Sequence, residues 1–79
     1  MTEKQWNALE RMTESKYNNN FFSATLSLGE VTIKKRDFGF ELVYPSYSID
    51  LYKNEPIPSI DSVYLRYLYN EYLSSMSMK

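Results

Sequence analysis

From Phe22 to Leu28 apolar and small hydroxyl side chains take turns, with Phe22, Ala24, Leu26 and Leu28 set against Ser23, Thr25 and Ser27. A period of two is that of a strand with one face buried. Gly29-Glu30 follows, with glycine at the first central position that a type II′ hairpin prefers. That turn pairs Leu28 with Val31, Leu26 with Ile33 and Ala24 with Lys35. A connection around Arg36-Asp37 that sets Ile33 opposite Phe40 also brings Val31 to Leu42 and Lys35 to Phe38. Pro45-Ser46 pairs Tyr44 with Tyr47, Leu42 with Ile49 and Phe40 with Leu51. Each turn delivers the same apolar face, and a slip of one residue would invert it. The pattern therefore predicts a meander of four antiparallel strands over residues 21–28, 31–36, 38–44 and 47–52.

Helical periodicity flanks this block on both sides. Thr2-Glu3-Lys4-Gln5 has the form of a capping box. Trp6, Ala8, Leu9, Met12 and Tyr17 gather on one half of a helical wheel, opposite Asn7, Glu10, Arg11 and Glu14. This predicts a helix over residues 3–17, ended by Asn18-Asn19-Asn20, because Asn tolerates the left-handed geometry of a helix stop. After Asn54-Glu55-Pro56-Ile57-Pro58, which cannot continue a ladder, Ser59 or Asp61 offers an N-cap. A second helix over 60–76 follows, with Leu65, Leu68, Tyr69, Tyr72 and Met76 on its inner stripe and fraying expected from Ser74 to Lys79. The plan is an α+β two-layer sandwich, α-ββββ-α, forming a single domain with both helices on one face of the sheet.

Composition narrows the chemistry. The 79 residues contain no cysteine and no histidine, which excludes disulfides, thiolate sites and a Ser/His/Asp triad. Only two glycines are present and no phosphate-cradling loop motif, so no enzymatic activity and no cofactor or metal site is expected. The net charge of −1 supplies no general footprint for nucleic acid. No apolar run is long enough to span a membrane, which points to a cytoplasmic chain.

Four surfaces remain as candidates. The first strand carries no charge or proline at what a meander makes an edge, so Ser23, Thr25 and Ser27 could pair with a partner strand or with a second copy. The other reading is that the first helix or the Asn loop covers it. On the last helix, Val63 and Tyr67 point away from the inner stripe, with Tyr64 at its boundary and Glu71 nearby, which suits a protein interface; a broad stripe wrapping into a groove is the alternative. On the wet sheet face Glu41 stands opposite Asp50, with Tyr52 beyond and Lys34 diagonal as counter-charge. The pair could hold a basic partner or simply be solvated. Lastly, Lys34, Lys35, Arg36 and Lys53 form a small basic patch that could meet phosphates.

In size, composition and element order the chain resembles small phage-encoded inhibitors of bacterial defence, the anti-CRISPR proteins, some of which are short acidic α-βββ-α domains. The resemblance implies a non-enzymatic protein that binds and blocks a larger host complex in the host cytoplasm. A charge of −1 departs from the acidic members and shifts the expected mechanism from DNA mimicry to shape and tyrosine-rich contact. The competing expectation is a small nucleic-acid-binding regulator using the Lys/Arg patch.

Overall fold

In the computed structural model, which describes residues 1–14 and 19–77, four antiparallel strands form one sheet in sequence order. They are β1 (Phe21–Leu26), β2 (Gly29–Arg36), β3 (Gly39–Val43) and β4 (Ser48–Tyr52), preceded by α1 (Glu3–Thr13) and followed by α2 (Ser59–Ser77). This is the α-ββββ-α meander that the alternation predicts. Val31, Ile33, Phe40, Leu42 and Leu51 point to one side and are buried beneath Leu9 and Met12 of α1 and Leu65, Leu68 and Tyr72 of α2. Burying a large apolar side chain stabilises by roughly 1.5–3 kcal/mol. Among the described residues no helix lies over the opposite face, which bears Ser23, Thr32, Glu41 and Asp50.

Two of the three turns differ from the expected ones, although every strand keeps its inward face. Ser27-Leu28, not Gly29-Glu30, makes the first turn, so Leu26 faces Gly29, Ala24 faces Val31 and Phe22 faces Ile33. Asp37-Phe38 makes the second, which sets Arg36 opposite Gly39, Lys35 opposite Phe40 and Ile33 opposite Leu42. Leu28 and Phe38 are therefore exposed turn residues and not inward members of strands. The physical reason is shared. Both turns keep negative φ at their central residues and place glycine fourth, the preference of a type I turn, with Gly29 at φ +112° and Gly39 at +150°. At Gly39 a Cβ would stand 2.3 Å from the Leu51 carbonyl oxygen, so only glycine fits. The third turn has the expected register, Phe40 with Leu51, Glu41 with Asp50 and Leu42 with Ile49.

The capping box of α1 forms as read: Gln5 N–H donates to Thr2 Oγ1 at 3.1 Å, and Thr2 N–H to Gln5 Oε1 at 2.8 Å. The helix ends at Thr13, earlier than expected, with Glu14 as an extended C-cap. Buried Thr13 turns its hydroxyl back to the Leu9 carbonyl at 2.9 Å, a bond β-branched hydroxyl residues make at the expense of helix continuation. The expected last turn, with Tyr17 and Asn18, lies outside the described residues; Asn19 and Asn20 do adopt positive φ, as part of the approach to β1. Neither Ser59 nor Asp61 is an N-cap, because α2 already begins at Ser59. Asp61 is a buried member of its first turn. The expected fraying includes Met78 and Lys79, also outside the described residues, whereas Ser74 to Ser77 are helical.

The helices reach the sheet at defined points. Trp6 of α1 meets Phe40 edge-on, ring centroids 4.8 Å apart. Near its start α2 touches the end of β3, where Tyr44 donates its hydroxyl to Asp61 Oδ1, and farther on Tyr72 meets Phe22 of β1 at 5.6 Å. The second helix thus crosses the sheet from β3 towards the β1 edge.

Candidate functional site

At the end of the sheet where the first and third turns lie, four tyrosines form a continuous chain of ring contacts. Tyr47 stacks on Tyr44 at 4.8 Å, Tyr44 meets Tyr64 edge-on at 5.8 Å, and Tyr64 meets Tyr67 edge-on at 5.9 Å. The middle of the chain is held by the core. Tyr44 is buried, and burial, followed by the Asp61 carboxylate, pushes its hydroxyl far above the usual range, so it stays protonated as the donor to Asp61. The ends stand in solvent, Tyr47 at 54% and Tyr67 at 48% exposure. Ile60, one helical turn before Tyr64, is 65% exposed, and exposed Leu28 belongs to the neighbouring turn, where Gly29 approaches Pro45. Tyr67 and Glu71 flank a shallow cleft against Leu26 and Ser27. The surface joins large apolar bodies to hydroxyl tips on a rigid base, the side-chain type enriched at binding hot spots.

The residues singled out on the last helix divide. Tyr64, Tyr67 and Glu71 lie along this side, but Val63 is half-buried, lining a groove of about 520 Å³ between α1 and α2. It turns towards α1 and not away from the core. Reading the strand pattern alone misses Tyr47, which shares the inward parity of β4 yet extends past the helical cover. It misses Ile60 as well, although Ile60, Tyr64, Tyr67 and Glu71 recur at spacings of four, three and four, which marks a second stripe on α2.

The outer face forms a separate region. Phe21, Lys34, Glu41 and Asp50 align in one row across the four strands, so Lys34 lies directly opposite Glu41 and not diagonally. The closest counter-charge is Arg36, whose Nη2 reaches Glu41 Oε1 at 2.6 Å with Nε at 2.9 Å. Hydrogen bonding from Arg36, then from Ser48, holds the Glu41 carboxyl below its usual range. Among the described residues no third acidic group joins Glu41 and Asp50. Tyr52 packs against Phe38 at 5.0 Å.

The basic residues do not form one patch. Lys34 and Arg36 point outward, while Lys35 turns inward and places Nζ 4.5 Å from the Trp6 ring and 4.6 Å from Phe40. Lys53 approaches the same indole at 5.0 Å. These are cation–π placements, in which the ammonium groups cover the rim of the core. Ser23 and Thr25 lie on the β1 edge, whereas Ser27 falls in the first turn, outside the strand expected to hold it; Ser23 is tied to Thr32 by a 2.6 Å hydroxyl contact. Among the described residues no helix is long and apolar enough to cross a membrane.

No family model, no curated protein and no solved structure matches this chain.

Proposed function

We propose that this protein is a non-enzymatic interaction module, of the phage or mobile-element inhibitor type, that blocks a larger host protein complex by occupying one of its surfaces. The observation that carries the reading is the Tyr47–Tyr44–Tyr64–Tyr67 chain, buried at its middle and exposed at both ends. A rigid aromatic surface binds at a low entropy cost, because little is left to immobilise. Ile60, Leu28 and Pro45 extend it, and Glu71 supplies an acidic margin. The outer Glu41 and Asp50 row is a secondary contact, since Arg36 already engages Glu41. The nucleic-acid reading loses support from the division of its four cations between two faces.

Quantitative capture from bacterial lysate with the full chain and with a Tyr47→Ala/Tyr67→Ala variant tests the proposal. Each hot-spot tyrosine contributes about 2 kcal/mol, or about 30-fold in affinity, so the captured complex should be lost with the double variant and retained with Glu41→Lys. Equal recovery by a double variant with native circular dichroism would overturn it. Nucleic acid recovered in place of protein, with binding that falls steeply as salt rises, would do the same.

A further inference from the structure

We infer that the protein forms a two-fold homodimer by pairing β1 with β1 of a second copy, joining two four-stranded sheets into one. The inference is independent of the aromatic surface. The Lys35 amide donates to the Asn20 carbonyl at 2.8 Å, which sets the phase of the ladder immediately before β1. The register between β1 and β2 is constant, and bonded pairs alternate with non-bonded pairs in an antiparallel ladder. Phe22, Ala24 and Leu26 therefore exchange hydrogen bonds with β2, while Phe21, Ser23 and Thr25 direct N–H and C=O outward. Among the described residues no element pairs with that side, because β1 is the first strand of the sheet.

Three features favour a second copy. First, the edge from Phe21 to Leu26 carries no charge and no proline, whereas β4 at the other edge contains Asp50 and is followed by Lys53 and Pro56. Second, the strand is self-complementary. A two-fold axis through Ser23 pairs it with Ser23 of the second copy and each Phe21 with the other Thr25, so every outward backbone group finds a partner. On the inner side each Phe22 then faces the other Ala24, large against small. Third, α2 reaches the edge strand and continues beyond that contact. Tyr72 packs on Phe22 and the helix continues to Ser77. Met76 lies on the stripe of Leu65, Leu68 and Tyr72, yet it is 40% exposed. In the dimer the added β1 would cover this apolar turn, and the symmetry would set each α2 beside the other copy's strand.

Light scattering and NMR amide exchange on the full chain, from micromolar to millimolar concentration, test the dimer. The mass should rise to twice 9.4 kDa. The amides of Phe21, Ser23 and Thr25 should be protected in the dimer and exposed on dilution, whereas those of Phe22, Ala24 and Leu26 stay protected throughout. Ser23→Lys sets two lysines together at the axis, and Thr25→Pro removes an outward N–H while leaving the bonds to β2. Each variant, folded by circular dichroism, should be monomeric; should either unfold, the exchange pattern of the unaltered chain decides. A monomer at millimolar concentration would overturn the inference, including one whose β1 edge takes up an extended peptide of another protein instead. So would a dimer in which the three odd-numbered amides remain unprotected.

Discussion

Tyr44→Phe removes one oxygen atom from the buried side-chain contact that ties the end of β3 to α2. Tyr44 is 4% exposed and Asp61 5%, and the phenol donates to the carboxylate across the junction of β3 with α2. The ring contacts to Tyr47 and Tyr64 depend on the ring alone and survive the change. A hydrogen bond to a charged group contributes about 1.5–3 kcal/mol, and its loss here leaves a carboxylate in the interior without the phenol. Asp61 keeps the favourable field of the first turn of α2, which places the expected loss near the middle of that range, about 2 kcal/mol. For a chain of this size that lowers the melting temperature by about 8–16 °C. Urea denaturation followed by far-UV circular dichroism measures it, with the midpoint falling and the slope unchanged. Asp61→Leu should be destabilising as well, but Tyr44→Phe/Asp61→Leu should lose less than the two together, because no orphaned polar group remains. A loss below about 0.5 kcal/mol for Tyr44→Phe, or strict additivity in the double variant, would refute the reasoning.

Two further perturbations test the turns and the outer face. Gly39→Ala combines a positive φ with a Cβ placed 2.3 Å from the Leu51 carbonyl oxygen, backbone that cannot rotate away; a loss of about 3 kcal/mol or more is expected in thermal unfolding, and a loss under about 1 kcal/mol would contradict the geometry. The Glu41 carboxyl is held below its ordinary value chiefly by Arg36, so its contribution to stability is fully present above the ordinary carboxyl range and is lost as pH falls through the lowered folded value. In Arg36→Ala an NMR titration should show the Glu41 pKa rising towards that of an isolated carboxyl, and an unmoved titration would show that the contact does not form in solution.

Side-chain parity was legible in the chain and turn chemistry was not. Strict alternation places Phe22, Ala24, Val31, Ile33, Phe40 and Leu42 on one face whichever neighbouring residues make the turns, because each correction moves the pairing by an even number of positions. Reading Gly29 as a central residue of a primed turn, when it is the fourth residue of a type I turn, displaces Leu28; around Arg36-Asp37 no glycine marks the centre of the turn, and pairing Ile33 with Phe40 displaces Phe38. The end of α1 depends on Thr13 bonding back to Leu9, a choice its buried setting makes and periodicity does not record. The role of Asp61 had a trace: it stands four residues before Leu65 and seven before Leu68, on the inner stripe, where an acidic residue implies a buried partner. The exposed tyrosines were half legible. Tyr64 and Tyr67 follow from the helical wheel, but their connection to Tyr47 exists only because α2 starts over the end of β3. The capture of Trp6 between Lys35 and Lys53 joins residues far apart in sequence that no spacing rule connects.

The surface proposed to engage a partner is the tyrosine chain at the turn end of the sheet. Cross-saturation NMR on the isotope-labelled protein bound to the captured complex tests it most directly. Signal loss should concentrate at Leu28, Tyr47, Ile60, Tyr64 and Tyr67, with the Glu41 and Asp50 row weakly affected. Loss centred on the outer sheet face or on the Lys34 and Arg36 side, with Tyr47 and Tyr67 untouched, would contradict it.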